Sequence, residues 1–97
     1  MLLGRVVGTV VSTRKDEKLE GLKLLIVQVV DIQNKPTAAY VVAVDSVGAG
    51  VGETVLYATG SSARQTASTK DRPVDAVVMA TVDTWTIGNQ TVFNAEG

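Results

Sequence analysis

Apolar residues occupy alternate positions through most of this chain, and glycine, asparagine and proline interrupt them at short intervals. That two-residue period, carried by Val, Ile and Thr, predicts β-structure. The first strand is expected over Leu2–Ser12, with Gly4 and Gly8 on one side of it; glycine inside a strand marks a bend or a close backbone approach. Arg14-Lys15-Asp16-Glu17-Lys18-Leu19-Glu20-Gly21 is charged in both signs and reads as a solvated loop, with a polar contact edge as the alternative. A second strand is predicted over Leu22–Ile32. Its centre, from Leu24 to Val30, is apolar on both faces apart from Gln28. A half-exposed antiparallel strand should alternate instead. The second apolar face is covered either by the chain's own short helix and loops or by another subunit.

Gln33-Asn34-Lys35-Pro36 is a turn, followed by a third strand over Ala38–Asp45 with Tyr40, Val42 and Val44 on one side. A fourth strand is expected over Thr54–Thr59. Ser62 and Gln65 have the spacing of a capping box, and a helix of one or two turns should follow Gly60. The last long strand is predicted over Val74–Ile87, with Val74, Ala76, Val78, Ala80 and Val82 on one face. Gly88-Asn89 is a two-residue hairpin signal, and Gln90–Phe93 should pair back. These elements add up to an all-β chain: a small five-stranded OB-like barrel with one short helix and a C-terminal hairpin, in a single domain over 1–97. An SH3-like barrel is the nearest alternative.

Composition narrows the function. The hydrophobic fraction of 45% against 20% charged places the chain among globular proteins rather than disordered ones. Net charge is −1 and aromatics are only 4%, which argues against nucleic acid as a partner, since such binders carry a basic face and stacking aromatics. With no cysteine and no histidine, disulfides, Cys/His zinc sites and Ser–His or Cys–His nucleophiles are ruled out. No cofactor is expected. No stretch approaches the roughly 20 apolar residues of a membrane-spanning helix, and the N-terminus lacks the pattern of a signal peptide; a cytosolic location follows.

Candidate chemistry is thin. Gly48, Gly50 and Gly52 are spaced G-x-G-x-G ahead of a strand, not G-x-G-x-x-G ahead of a helix, so they predict a tight connection with positive φ rather than a phosphate loop. Ser61 and Ser62 have no base. Arg64 is expected in a salt bridge within or between chains. The carboxylates Asp31, Asp45, Glu53, Asp75 and Asp83 are dispersed.

The segment Asp45-Ser46-Val47-Gly48-Ala49-Gly50-Val51-Gly52-Glu53, followed by Gly60-Ser61-Ser62-Ala63-Arg64-Gln65, resembles the signature of the pentameric vertex proteins of bacterial microcompartment shells. Arg5–Thr13, Lys23-Leu24-Leu25, Arg72–Ala76 and Val82-Asp83-Thr84 resemble other strands of that family. The resemblance implies a non-enzymatic structural subunit in the bacterial cytoplasm, an OB-like barrel forming a homopentamer that caps the five-fold vertices and contacts hexameric shell proteins. The Ser-Ser-Ala-Arg-Gln segment is closer to the metabolic, aldehyde-handling compartments than to the carboxysome. Subunit or pore contacts are assigned to Gly48, Ala49, Gly50, Ser61, Ser62 and Arg64, and to Ile26 and Val27 on the doubly apolar strand. An OB-type module for single-stranded nucleic acid or saccharide is the competing function.

Overall fold

The computed structural model describes residues 1–97. Seven strands form: β1 Leu2–Val10, β2 Leu24–Val30, β3 Pro36–Asp45, β4 Thr54–Thr59, β5 Ala76–Thr81, β6 Thr84–Ile87 and β7 Gln90–Asn94. The first five close into a barrel in the order β1-β2-β3-β5-β4, while β6 and β7 make a separate hairpin. Helical structure is limited to two short 3-10 turns, Glu17–Leu19 and Gly60–Arg64.

The barrel is lined by the inward residues of each strand: Val6, Leu25, Val27, Ala43, Val55, Tyr57, Ala76 and Val78, with Ala49 plugging in from the β3–β4 loop. A second, smaller core lies outside the wall. Val44, Ala58 and Val77 point outward in one row across β3, β5 and β4, and the segment from Gly60 to Val74 folds back to cover them through Ala63 and Val74.

Several expectations change. Gly4 and Gly8 are not on one side, because the register of β1 against β2 shifts between Val6 and Gly8. This β-bulge inserts one residue and turns everything after it over: Gly4 faces the interior, whereas Gly8 lies outside opposite Ile26. The long last strand is two elements. It leaves the barrel at Val82-Asp83, where Val82 N–H donates to Thr54 O and the Asp83 carbonyl accepts from Ala95 N–H, and it continues as β6. Ser62 does not cap a helix: the turn starts from Thr59 without a side-chain cap, and Gln65 ends it by donating its N–H to Ser62 O. The box fails on position: it needs its serine at the N-cap, whereas Ser62 is the third residue of the turn and Gln65 follows its last.

Turn chemistry follows the sequence closely. Asn34 (φ 64°) sits in the β2–β3 connection, and Gly48 (φ 79°) and Gly52 (φ 94°) carry the positive φ expected of the glycine-rich loop. Gly88 (φ 59°) turns the terminal hairpin.

Candidate assembly surfaces

The glycine loop is a tied structure, not an open cradle. Asp45 Oδ1 accepts the backbone N–H groups of Val47 (3.0 Å), Gly48 (3.0 Å) and Ala49 (3.2 Å). Its other oxygen faces Lys23 Nζ at 3.5 Å, and the Asp45 side chain is only 2% exposed. Lys23 Nζ also donates to Ala49 O at 3.2 Å. Further along, Gly50 N–H donates to Glu53 Oε1 at 2.7 Å, and the loop is laced to β1 through Gly52 N–H to Val6 O and Val6 N–H to Glu53 O. The amides of Val47, Gly48, Ala49, Gly50 and Gly52 are satisfied from within the chain, so the loop does not offer the run of free N–H groups that cradles a phosphate. The loop presents Val47 and Val51 to solvent instead.

Ser61, Ser62 and Arg64 are exposed on the 3-10 turn, anchored by buried Ala63. Arg64 makes no salt bridge; its Nη1 donates to Val74 O at 3.1 Å and helps hold the covering segment down. The glycine loop precedes β4 and the Ser61–Arg64 turn follows it. Six extended residues, about 20 Å of strand, separate the two. The structure therefore does not bring these groups together.

On β2 the apolar faces divide. Val27 is turned into the barrel and is 0% exposed, as is the Ala49 methyl. Neither side chain can touch a neighbouring molecule, which corrects their assignment as contact residues. Leu24 is covered by the chain's own segment. Ile26 points outward between Gly8 and Val42, and a Cβ placed on Gly8 would sit 3.5 Å from Ile26 Cδ1, so the glycine leaves a flat floor beneath it. Around Ile26, Val7, Tyr40 and Val42 are exposed. This is one unpartnered apolar face, on β1–β2–β3.

A second apolar surface was not foreseen. The Trp85 indole N–H donates to Ile32 O at 3.0 Å and stacks on Phe93 at 5.0 Å, fixing the β6–β7 hairpin against the β2–β3 loop. Between hairpin and barrel runs a groove of about 550 Å³ over the β1–β4 junction, walled by Leu2, Leu3, Ile32, Leu56 and Trp85, with Asp31 at its rim. Its wall residues are scattered along the sequence, and only the pairing of Leu3 with Leu56 and the docking of Trp85 unite them. The lone tryptophan was the available signal.

No group of three acidic side chains is placed to hold a metal ion. No helix is long and apolar enough to cross a membrane. Burial pushes the Tyr57 phenol above its ordinary value.

The family model described as "Ethanolamine utilisation protein EutN/carboxysome" matches residues 1–83. The chain is 46% identical over 94 residues to the carboxysome shell vertex protein CcmL of Gloeobacter violaceus, covering 97% of this chain and 94% of that one. It is 49% identical over 84 residues to the microcompartment shell vertex protein GrpN of Rhodospirillum rubrum, covering 87% and 94%. To the shell vertex protein EutN of Salmonella typhimurium it is 43% identical, covering 97% and 95%. The solved structure of Gloeobacter violaceus CcmL superposes with a TM-score of 0.97 at 44% identity over all of both chains. That of GrpN, described as a pentameric microcompartment shell protein, superposes with a TM-score of 0.82 at 48% identity over 90% of this chain and all of that one.

Proposed function

This chain belongs to the EutN/carboxysome family of shell vertex proteins, and from that premise we propose that residues 1–97 act as one wedge of a homopentamer closing the five-fold corners of a bacterial microcompartment. It is a structural shell component in the cytoplasm of its host, not an enzyme. Flat sheets of hexagons cannot close into a container, so five-fold units must stand at the corners. A ring forms when one patch of each copy meets a different patch of the next and the rotation closes.

Near-complete coverage by vertex proteins at more than 40% identity carries the reading. The barrel adds to it by leaving apolar side chains in water where an isolated subunit gains nothing from them. Within the ring, Ile26 supplies an apolar contact. Gly48, Gly50, Ser61, Ser62 and Arg64, together with the Ala49 backbone, lie at subunit or pore contacts, and the rim docks against hexameric shell proteins. Overall similarity does not separate the metabolic compartment favoured by the Ser-Ser-Ala-Arg-Gln segment from the carboxysome: GrpN matches at 49% identity, CcmL at 46% and EutN at 43%. An OB-type nucleic-acid or saccharide module would display several aromatics, whereas Tyr40 is the one aromatic among the largely exposed apolar side chains.

Native mass spectrometry of the purified protein tests the proposal. The expected species has five times the 10.1 kDa subunit mass. A single-chain species at micromolar concentration would remove the physical basis of a vertex role.

A further inference from the structure

We propose that the groove over the β1–β4 junction receives the Tyr40–Val42 edge of a second copy of this chain, and that this contact, repeated, is the central interface of the ring. The inference rests on the ring assembly above and names the surfaces that make it.

A closed ring of identical chains needs two different, complementary patches on each copy, because a patch that pairs with itself stops at a dimer. The strand order β1-β2-β3-β5-β4 puts β3 two strands away from β1 in one direction and two away from β4 in the other. β3 therefore pairs with neither strand of the β1–β4 junction, and Tyr40 and Val42 are not among the residues lining the groove, so the two apolar surfaces are different patches of one subunit. Each copy can offer Tyr40 to one neighbour and its groove to the other.

The chemistry of the two sides matches. Tyr40 and Val42 are 57% and 51% exposed and, two residues apart in one strand, share a face. Tyrosine anchors interfaces because a large apolar ring is buried while the hydroxyl still needs a partner. The groove supplies both requirements. Leu2, Leu3, Leu56, Ile32 and Trp85 form an apolar wall. Asp31 accepts the N–H groups of Gln33 and Lys35 through Oδ1 alone, leaving Oδ2 free to accept a phenol O–H at the rim. Access to β3 is open, since it pairs with β5 only at Val44 and Asp45, and its earlier residues have no strand on that side.

The test uses two single-face variants, Tyr40→Glu and Ile32→Glu, both at exposed positions, with circular dichroism confirming the fold. Each alone should lose the five-chain species and run as a single chain in native mass spectrometry. Mixed in equal amounts they should give a two-chain species and nothing larger. Tyr40→Glu brings an intact groove and Ile32→Glu an intact Tyr40, so one sound contact forms and both outer ends stay spoiled. If a glutamate prevents folding, the milder pair Tyr40→Ser and Ile32→Ser makes the same comparison. Folded variants that still form the wild-type ring, or a mixture that stays single-chain, overturn the assignment of these surfaces while leaving the ring intact. A wild-type protein that is itself a single chain overturns the ring reading and this inference with it.

Discussion

Replacing Gly4 by alanine should weaken the barrel far more than one methyl group suggests. Gly4 lies inside, between Val29 of β2 and Val55 of β4. A Cβ there would fall well within van der Waals contact of Val27 Cγ1, and 3.1 Å from both Tyr57 Cε1 and the Gln28 carbonyl oxygen. Carbon atoms settle at about 3.5–4.0 Å, so three neighbours must move at once. None moves freely. Val27 is fully buried and β-branched, with few alternative rotamers; the Tyr57 ring is packed in the same core; Gln28 O belongs to the backbone. Overpacking of this kind costs about 1–3 kcal/mol. For a domain of this size each kcal/mol moves Tm by about 4–8 °C, so a mid-range 2 kcal/mol lowers it by about 8–16 °C. Thermal unfolding followed by circular dichroism gives the answer, at one fixed protein concentration because assembly makes Tm concentration-dependent. Gly8→Ala is the control: its new methyl meets Ile26 at ordinary contact distance on the outer face, and Tm should stay level or rise slightly. Combining Gly4→Ala with Val27→Ala should give a smaller loss than the two separate losses added, since the truncated valine makes room. A Gly4→Ala protein melting with the wild type, or strict additivity in the double variant, would show the reasoning to be wrong.

Adjacent residues of β2 should fail in different ways: Val27→Asp places an unpaired carboxylate in the barrel, a penalty of several kcal/mol on a total of about 5–15, and should give an unfolded chain by circular dichroism, while Ile26→Asp should stay folded and lose assembly by mass. Asp45→Ala strips three amides of their acceptor and should lower stability by about 1–3 kcal/mol, with faster hydrogen exchange confined to Val47–Ala49; unchanged exchange there would show that the carboxylate does not hold the loop. Burial raises the Tyr57 phenol above its ordinary 10.0, so the unfolded chain releases that proton first. Its contribution is complete below about pH 10 and disappears as pH rises through the folded-state value. Denaturant midpoints should fall on that alkaline side, and a Tyr57→Phe variant with the same slope would refute the linkage.

Most of the fold was legible because the strands alternate and the breaks are punctuated: Thr54–Thr59 lies where its pattern put it, and Gly88-Asn89 turns the hairpin as its dipeptide demands. The illegible parts are those where tertiary pairing overrides local pattern. Gly8 signals an irregularity in the first strand, but the local pattern does not say whether it is a bend, a close approach or the bulge that the pairing with β2 reveals. Val82-Asp83 continues the alternation of β5; Val82 N–H still bonds Thr54 O in the β4 register, and the chain changes partner only at Asp83, whose carbonyl accepts from Ala95 N–H. Among the assembly residues, Ile26 and Val27 were indistinguishable in a doubly apolar run; the pairing register separates them. Of the Leu2–Leu56–Trp85 groove only the lone tryptophan gave a signal, for its walls come from four separate segments.

Leu2 pairs with Tyr57, so the outer edge of the first strand stays bare until more than half the chain exists. Contacts this distant in sequence make folding slow, and synthesis at about 5–20 residues per second leaves that edge unpaired for seconds. The same junction is the floor of the proposed docking groove, with Leu3 from the earliest strand, Leu56 from the last to join that seam, and Trp85 made later still. An unfinished subunit thus has no groove to receive a neighbour's Tyr40. Maturation of the barrel and competence to enter a shell become a single event, and the order of construction acts as quality control.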